Sequence, residues 1–266
     1  MAIDPMHQFA IHEVVHIDPV NVPGLGLVNL SITNSVLWMG IAALVVCGFL
    51  LASARGAVVP GRLQSLGESL YGLVDNLTSS MIGHEGRKFL PFVFTLFSFI
   101  LVMNLFGLIA IPGVGAPFTA TSQLAVTLTL ALVTFITVIV IGFIRNGFGF
   151  FKLFVPSGVP WPLLFLLVPI EFISFMVRPV TLSLRLFGNM LGGHVVLKIF
   201  ASFVIGLGAF ALTGGLASLG FVGSALSLGT VVALTALEFI VAFLQAFVFA
   251  ALACVYINDV VNLHAH

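Results

Sequence analysis

The chain contains 266 residues, of which 60% are apolar and only 7% are charged. Soluble domains average about 25% charged and about 45–50% apolar residues, so this composition excludes an ordinary water-soluble globular protein. Nine basic and nine acidic residues give a formal net charge of zero, which removes the electrostatic basis for binding nucleic acid. The composition predicts an all-α polytopic membrane protein.

Long apolar segments predict about five to six membrane helices, since about 20 apolar residues cross the hydrocarbon core of a bilayer. The expected spans are 34–54, 89–111, 123–144, 163–177, 178–212 and 224–257. The last two segments are longer than a perpendicular span requires, which predicts a long, strongly tilted C-terminal helical hairpin. We expect a single membrane domain over 1–266. Its first part, 1–33, is an N-terminal segment that precedes the first span.

Segment 61–83 differs from the spans because it mixes apolar and polar residues at helical spacing. Its apolar residues are Leu63, Leu66, Leu70, Leu73, Val74 and Leu77. Glu68, Asp75 and Asn76 lie elsewhere around the helix. Such a pattern between two spans predicts an amphipathic helix lying on the membrane interface.

Basic residues between the first spans set the expected orientation, because alternate threading places all six on one side. They are Arg55, Arg62, Arg87, Lys88, Arg145 and Lys152. The other side receives the N-terminal segment, which has no Lys or Arg, and the uncharged loops 112–121 and 213–223. The positive-inside rule therefore predicts a cytoplasmic basic side and an N-terminus outside.

Three short patterns carry little chemistry. His12-Glu13-Val14-Val15-His16 matches the H-E-x-x-H zinc pattern, but Asp18-Pro19 interrupts the segment and only His7 offers a third ligand, so we expect no metal. Cys47 and Cys254 lie in apolar runs, which predicts buried, inert thiols. Gly188 and Gly192 form a small-residue motif that indicates either helix packing or chance.

Arg185 is the most informative residue of the sequence. It lies in the apolar stretch 180–191, where placing an arginine in hydrocarbon costs about 2.5–3.5 kcal/mol on insertion scales. A guanidinium does not lose its proton in proteins, so Arg185 keeps its charge. We expect a water-filled cavity or a carboxylate partner, either Glu238 or a residue of another subunit; the structural alternative is an arginine that snorkels to the interface.

A polar stripe is expected on the last segment, opposite a helix that carries His194 nine residues after Arg185. Glu238, Gln245 and Tyr256 are spaced by seven and eleven residues, intervals that return to one helical face. Glu and His can exchange protons near neutral pH, whereas Arg cannot. The pattern predicts a proton relay combined with an electrostatic gate.

Two stretches together resemble the signature of subunit a of F-type ATP synthases, the ATPase subunit 6 family. The first is Pro169-Ile170-Glu171-Phe172-Ile173-Ser174. The second, RPVTLSLRLFGNM, runs from Arg178 to Met190. The resemblance extends over nearly the whole chain, including the amphipathic helix.

By position, the resemblance implies a role for each polar residue of the C-terminal half. Arg185 matches the stator arginine that faces the carboxylate of the rotating c-ring, and Asn189 and Gln245 match polar residues beside it. His194 and Glu238 match an interacting pair in the outer half-channel. Glu171 matches an acid of the cytoplasmic half-channel. Apart from these matches, Thr181 and Tyr256 are possible additions to the polar track.

The order of acid and histidine resembles that of mitochondrial-type members of the family. In one familiar bacterial pattern the acid and the histidine occupy each other's places. The expected function is a proton-conducting stator subunit, with channel-forming helices at 163–257 and Arg185 keeping two offset half-channels apart. A histidine beside a carboxylate favours the proton over sodium as coupling ion. We expect no catalytic site of its own, no cofactor and no directly bound nucleotide.

The expected partners are the c-ring, the subunit b peripheral stalk, the remaining ATP synthase complex and the lipid bilayer. The expected location is the inner (plasma) membrane of a bacterium, with the mitochondrial inner membrane as the alternative. Two other classes are a self-contained secondary transporter and a structural anchor. No internal repeat supports the transporter, and Arg185 argues against the anchor.

Overall fold

The structure is a computed structural model that describes residues 12–16, 20–22, 26–28, 31–54, 59–108, 119–155, 160–213 and 220–263. Predictions that concern His7, Arg55 and the loop residues 112–118 and 214–219 lie outside the described residues.

Six α-helices account for most of the described chain. They are α1 (Asn34–Ser53), α2 (Arg62–Ile82), α3 (Gly86–Leu108), α4 (Leu124–Asn146), α5 (Trp161–Ala211) and α6 (Gly220–Val261). All except α2 are long and apolar enough to cross a membrane, so five candidate spans are present among the described residues. The prediction of an all-α polytopic membrane protein is confirmed.

Four short β-strands precede α1. They are β1 (Glu13–Val15), β2 (Val20–Val22), β3 (Gly26–Val28) and β4 (Ile32–Thr33). Two antiparallel pairs form, β1 with β4 and β2 with β3. The H-E-x-x-H pattern therefore lies on a strand instead of the helix that this zinc motif requires, and His16 Nδ1 lies 2.8 Å from Glu13 Oε2.

The separate spans expected at 163–177 and 178–212 are one helix. α5 continues for 51 residues through Pro169 and Pro179. Proline removes a backbone hydrogen bond and tends to break a helix in water. In an apolar environment an interrupted helix would expose more unsatisfied backbone groups, so proline is better tolerated there.

α5 and α6 are both longer than a bilayer is thick. With 51 residues α5 measures about 77 Å, and with 42 residues α6 measures about 63 Å, against a hydrocarbon core of about 30 Å. Strong tilt, or a course partly along the membrane, remains the prediction for both helices.

Contacts within the chain group the residues into two compact units. Unit 1 comprises 1–42, 102–123 and 187–244, and unit 2 comprises 43–101, 124–186 and 245–266.

Unit 2 is built around phenylalanine rings. The 3₁₀ segment Gly147–Phe154 follows α4 directly, and Phe150 packs 4.8 Å from Phe143 and 6.0 Å from Phe175 between ring centroids. Phe154 contacts Phe175 edge to face at 5.5 Å. Such ring pairs add about 0.5–1.5 kcal/mol each beyond the burial of their surface.

The basic residues flanking α3 and α4 meet at one end of unit 2. Glu85 accepts a hydrogen bond from Arg145 and lies 3.7 Å from the ammonium of Lys88. The hydrogen bond from Arg145 is the largest of the effects that hold the pKa of Glu85 below its usual value. Asn146 Nδ2 at the end of α4 donates to the carbonyl of Val260 at 2.7 Å, so the end of α6 reaches the same place.

The amphipathic helix is confirmed at Arg62–Ile82, and the side chains it buries agree only in part with the predicted apolar face. Val74 and Leu77 are buried as predicted. Leu63 and Leu66 are exposed, at 58% and 51%, whereas Gly67 is buried. Gly67 faces α1, because a Cβ on it would lie 2.8 Å from the side chain of Ser53. Close contact with α1 is therefore made through the smallest residue of α2, and the first leucines are available to lipid or another protein.

The structure also bears on the predictions made for the two cysteines and for the small-residue motif of α5. Cys254 is buried as expected, but Cys47 is exposed on α1, because its helix face has no neighbour within the described chain to cover it. Gly188 and Gly192 have open space where a Cβ would be, with no atom within 4 Å. Among the described residues this small-residue motif packs against no other helix.

Cysteine labelling tests the interfacial position of α2. In a background lacking Cys47 and Cys254, Glu68→Cys should react with a membrane-impermeant maleimide in inverted membranes and fail to react in intact cells. Val74→Cys is the matched control, since this buried position on the same helix should react slowly from either side. Reaction of Glu68→Cys in intact cells would contradict the predicted orientation.

Candidate functional site

His194 of α5 is held in a buried polar cluster of unit 1. The residue is 8% exposed, and its Nε2 lies 2.8 Å from the hydroxyl of Thr119. Thr119 directly precedes the 3₁₀ turn Ala120–Ser122, which connects to α4. A hydroxyl can both donate and accept, so this contact can satisfy the ring nitrogen whichever tautomer the histidine adopts.

Asn104 ties three segments of the same unit together. It is completely buried on α3, its Nδ2 donates to the carbonyl of Ala242 on α6 at 3.1 Å, and its Oδ1 accepts a hydrogen bond from the Thr121 hydroxyl at 2.8 Å. A buried amide that satisfies both of its ends specifies the position of its neighbours more strictly than an apolar residue does.

Glu238 of α6 has a buried carboxylate in unit 1 that is not satisfied. Both of its carboxylate oxygens are buried, and neither has a hydrogen-bond partner among the described residues. The carboxylate lies against the backbone of α5 at Gly193, where any Cβ would collide with Oε1. Burying a polar group without a partner is costly, and such groups in native structures are commonly functional.

In unit 1 Glu238 lies near His194, but the predicted direct interaction between their side chains is not formed. Glu238 packs beside Gly193, the residue next to His194, but within the described chain its oxygens accept no hydrogen bond from the imidazole. The contact to Nε2 comes from Thr119 instead. A direct interaction between His194 and Glu238 remains a prediction.

Arg185 of unit 2 points out of the chain. Its side chain is exposed, and it forms no salt bridge with the described acidic residues of its unit. Thr181, one turn earlier on α5, is also exposed, and its hydroxyl donates to the carbonyl of Arg178 at 2.9 Å. Asn189, one turn later, is exposed as well.

Arg178, by contrast, is fully engaged in unit 2. Its guanidinium lies 2.6 Å from the carboxylate of Asp259, and both side chains are 24% exposed. Its Cζ lies 4.9 Å from the ring centroid of Tyr256 and 5.3 Å from that of Phe175, within the range of cation–π attraction. Tyr256, a possible member of the polar track, thus packs against an ion pair.

Glu171 and Gln245 are the two remaining predicted residues of unit 2. Glu171 is half-buried on α5, and Gln245 is 4% exposed on α6.

Sequence reasoning missed four residues that the fold makes important: Asp259, Asn104, Thr119 and Thr121. Asn104 carried a usable signal, as an amide in the otherwise apolar segment 89–111. Asp259 had a weaker one, at the edge of the last apolar segment. The threonines lie in a loop that was described only by its lack of charge, and hydroxyl groups in loops are too common to stand out.

Comparison with known proteins decides the family. The profile of the ATP synthase A chain family matches residues 36–258. The chain belongs to the ATP synthase subunit a family. It is 47% identical to ATP synthase subunit a of Hyphomonas neptunium over 268 residues, covering 100% of this chain and 99% of that protein.

Two further subunits a agree over the same length. That of Rhizobium rhizogenes is 48% identical, covering 100% of both chains, and that of Mesorhizobium japonicum is 49% identical, covering 98% of this chain and 97% of its own. The resemblance seen in the sequence is confirmed. Bacterial subunits a and five apolar helices support a bacterial membrane protein that serves ATP synthesis and hydrogen ion transport.

The Arg178–Asp259 pair should stabilise unit 2. Asp259→Asn removes the counter-charge of a half-buried guanidinium, so we expect a loss of about 1.5–3 kcal/mol, the usual range for a hydrogen bond to a charged group. Thermal unfolding of the detergent-solubilised protein would show this as a lower midpoint, partly restored by adding Arg178→Gln.

Asp75→Asn provides the matched control for this pair. Asp75 lies 3.9 Å from Arg87, beyond hydrogen-bonding distance, and the Arg87 side chain is 81% exposed, so we expect this pair to contribute about 0–1 kcal/mol. Equal midpoints for Asp259→Asn and Asp75→Asn would contradict the structural role of Arg178.

Proposed function

We propose that this chain is the proton-conducting stator subunit of an F-type ATP synthase, with Arg185 as the electrostatic gate between two offset half-channels. Family membership supports the proton-translocating stator role, and the gate and half-channels extend it to particular residues. The chain needs no catalytic site for this work, because ATP chemistry belongs to other parts of the complex.

The exposure of Arg185 carries the proposal. Arg185 lies 24 residues from the start of α5 and 26 residues from its end, so it is near the centre of a long apolar helix. A permanent charge there requires water or an opposite charge. No described carboxylate of its own unit forms a salt bridge with it, and we assign the opposite charge to a partner subunit, for which the c-ring is the candidate.

We assign the entry of protons from the outer side of the membrane to the region around His194 and Glu238. Both side chains lie in unit 1, and Glu238 presents a buried carboxylate without a hydrogen-bond partner in the described chain. Carboxylate and imidazole groups exchange protons readily near neutral pH. Asn189 and Gln245 are assigned to the polar surroundings of Arg185, and Thr181 and Tyr256 to the flanks of the same path.

Release of protons to the cytoplasm is assigned to the region of Glu171. Arg87, Lys88 and Arg145 gather with Glu85 at one end of unit 2, which agrees with threading these residues to one side of the membrane. The positive-inside rule makes that side cytoplasmic and the N-terminus external.

The proposed cycle follows from the cost of charge in lipid. A proton from outside neutralises a c-ring carboxylate, which can then face hydrocarbon while the ring turns. The carboxylate loses this proton near Glu171 and is drawn to Arg185 as an anion. Each charge that crosses gains about 2.3 kcal/mol per 100 mV, so several crossings are needed for each ATP.

The assembly follows from the same role. We assign the c-ring to the exposed face of α5 around Arg185, and subunit b and the remaining complex to other surfaces of the chain. We assign the chain to the inner membrane of a bacterium, because the similar subunits a compared above come from bacteria.

Arg185→Ala tests the gate. Removing the charge should abolish ATP-driven proton pumping in inverted vesicles, while passive leak rises, because nothing then separates the half-channels. Arg185→Lys should fail as well, since a compact ammonium does not replace the planar guanidinium.

Arg87→Ala is the matched control for this gate, as an arginine whose side chain is 81% exposed outside the apolar part of α3. It should pump normally. Coupled ATP synthesis at the parental rate in Arg185→Ala membranes would refute the assignment.

An exchange of residues tests the outer half-channel. His194→Ala and Glu238→Ala should each reduce proton flux strongly without preventing assembly. If the two groups act together, His194→Glu combined with Glu238→His should recover more flux than either single exchange, which a double-mutant cycle would quantify.

The exposed carboxylate of α2 supplies the control for this exchange, since Glu68→Ala should leave flux unchanged. Strictly additive losses with no recovery in the exchanged pair would argue against cooperation between His194 and Glu238.

A further inference from the structure

The hydroxyl of Thr119 is the described hydrogen-bonding contact to His194 Nε2, and no role has been assigned to it above. The oxygen lies 2.8 Å from the ring nitrogen, and both residues are buried, with Thr119 only 3% exposed. A hydrogen bond between two buried side chains fixes the orientation of a ring more firmly than one in contact with water.

The backbone around Thr119 is held in place by its own turn. The carbonyl of Thr119 accepts two hydrogen bonds from Ser122, one from the hydroxyl at 2.6 Å and one from the backbone N–H at 2.9 Å. Thr121, between them, donates to Asn104 Oδ1 on α3 at 2.8 Å. The Thr119 hydroxyl is therefore presented to His194 from a fixed support.

Gly107 of α3 makes the contact possible. A Cβ at this position would lie 2.8 Å from Thr119 Cβ and 2.9 Å from His194 Nε2, and it would collide with the Thr119 hydroxyl. Both distances are shorter than ordinary contacts allow. The absence of a side chain on α3 thus provides the space in which the imidazole and the hydroxyl meet.

We infer that Thr119 is a positioning residue for His194, that it orients the imidazole for proton transfer, and that Gly107 supplies the space for this contact. The inference rests on the proposed role of His194 in proton entry. A Thr hydroxyl suits this task because it can donate to Nε2 when the ring is neutral and accept from it when the ring is protonated. The same partner then serves both states of a proton-exchanging histidine.

Thr119→Val tests the inference, because it keeps the shape of the side chain and removes the hydroxyl. We expect proton flux per assembled complex to fall roughly tenfold, in line with the loss of one hydrogen bond at a buried site. Thr119→Ser should restore about half or more of the parental flux, since it returns the hydroxyl. If Thr119→Val fails to assemble, Thr119→Ala takes its place in the comparison.

Two matched controls separate positioning from general damage. Thr134→Val removes an equally buried hydroxyl, which donates only to the carbonyl of Leu130 in its own helix at 2.9 Å, and should leave flux unchanged. Gly107→Ala should reduce flux as Thr119→Val does. Gly48→Ala should not, because a Cβ there has no atom within 4 Å.

The outcomes distinguish this inference from the function on which it rests. Reduced flux in Thr119→Val, with recovery in Thr119→Ser and normal Thr134→Val, supports it. Parental flux in Thr119→Val, equal damage in Thr119→Ser, or equal damage in Thr134→Val overturns it, while impaired His194→Ala leaves the proposed function standing. Parental flux in His194→Ala removes both.

Discussion

The structure of this protein depends on one constraint: most of the chain lies in hydrocarbon, where no water can hydrogen-bond to its polar groups. Backbone groups in hydrocarbon must be satisfied within their own segment, and only a continuous helix achieves this for a single strand of chain. α5 therefore runs unbroken through Pro169 and Pro179. Hydroxyl groups obey the same rule: Thr95, Thr134 and Thr137 each donate to a carbonyl of their own helix.

Polar groups that have a partner within the described chain differ in their role from those that have none. Asn104 uses both ends of its amide, and Arg178 has a carboxylate and two aromatic rings. These residues hold helices together. Glu238 has no hydrogen-bond partner and Arg185 no salt bridge within the described part of its own unit. In the function proposed above, these two residues act on protons and on a partner subunit.

Glycine determines where a polar site can be built among close-packed helices. Gly193 lets the Glu238 carboxylate lie against the backbone of α5, and Gly107 provides the space where Thr119 meets His194. Gly188 and Gly192 have open space instead, on the stretch of α5 that follows Arg185. Small residues of the first kind shape an internal site, whereas those of the second kind leave a smooth outer surface.

The sequence by itself determined the class of the fold, most of the spans and the amphipathic helix, and it predicts a functional role for Arg185. These follow from composition, apolar length and the cost of a charge in lipid, which act locally and need no knowledge of neighbours. Only the tertiary structure decided that Arg178 pairs with Asp259, that Thr119 contacts His194, and that Leu63 and Leu66 of α2 are exposed while Gly67 is buried. Each of these depends on which side chains from distant segments come together, and helical periodicity gives the face of a residue without naming its partner.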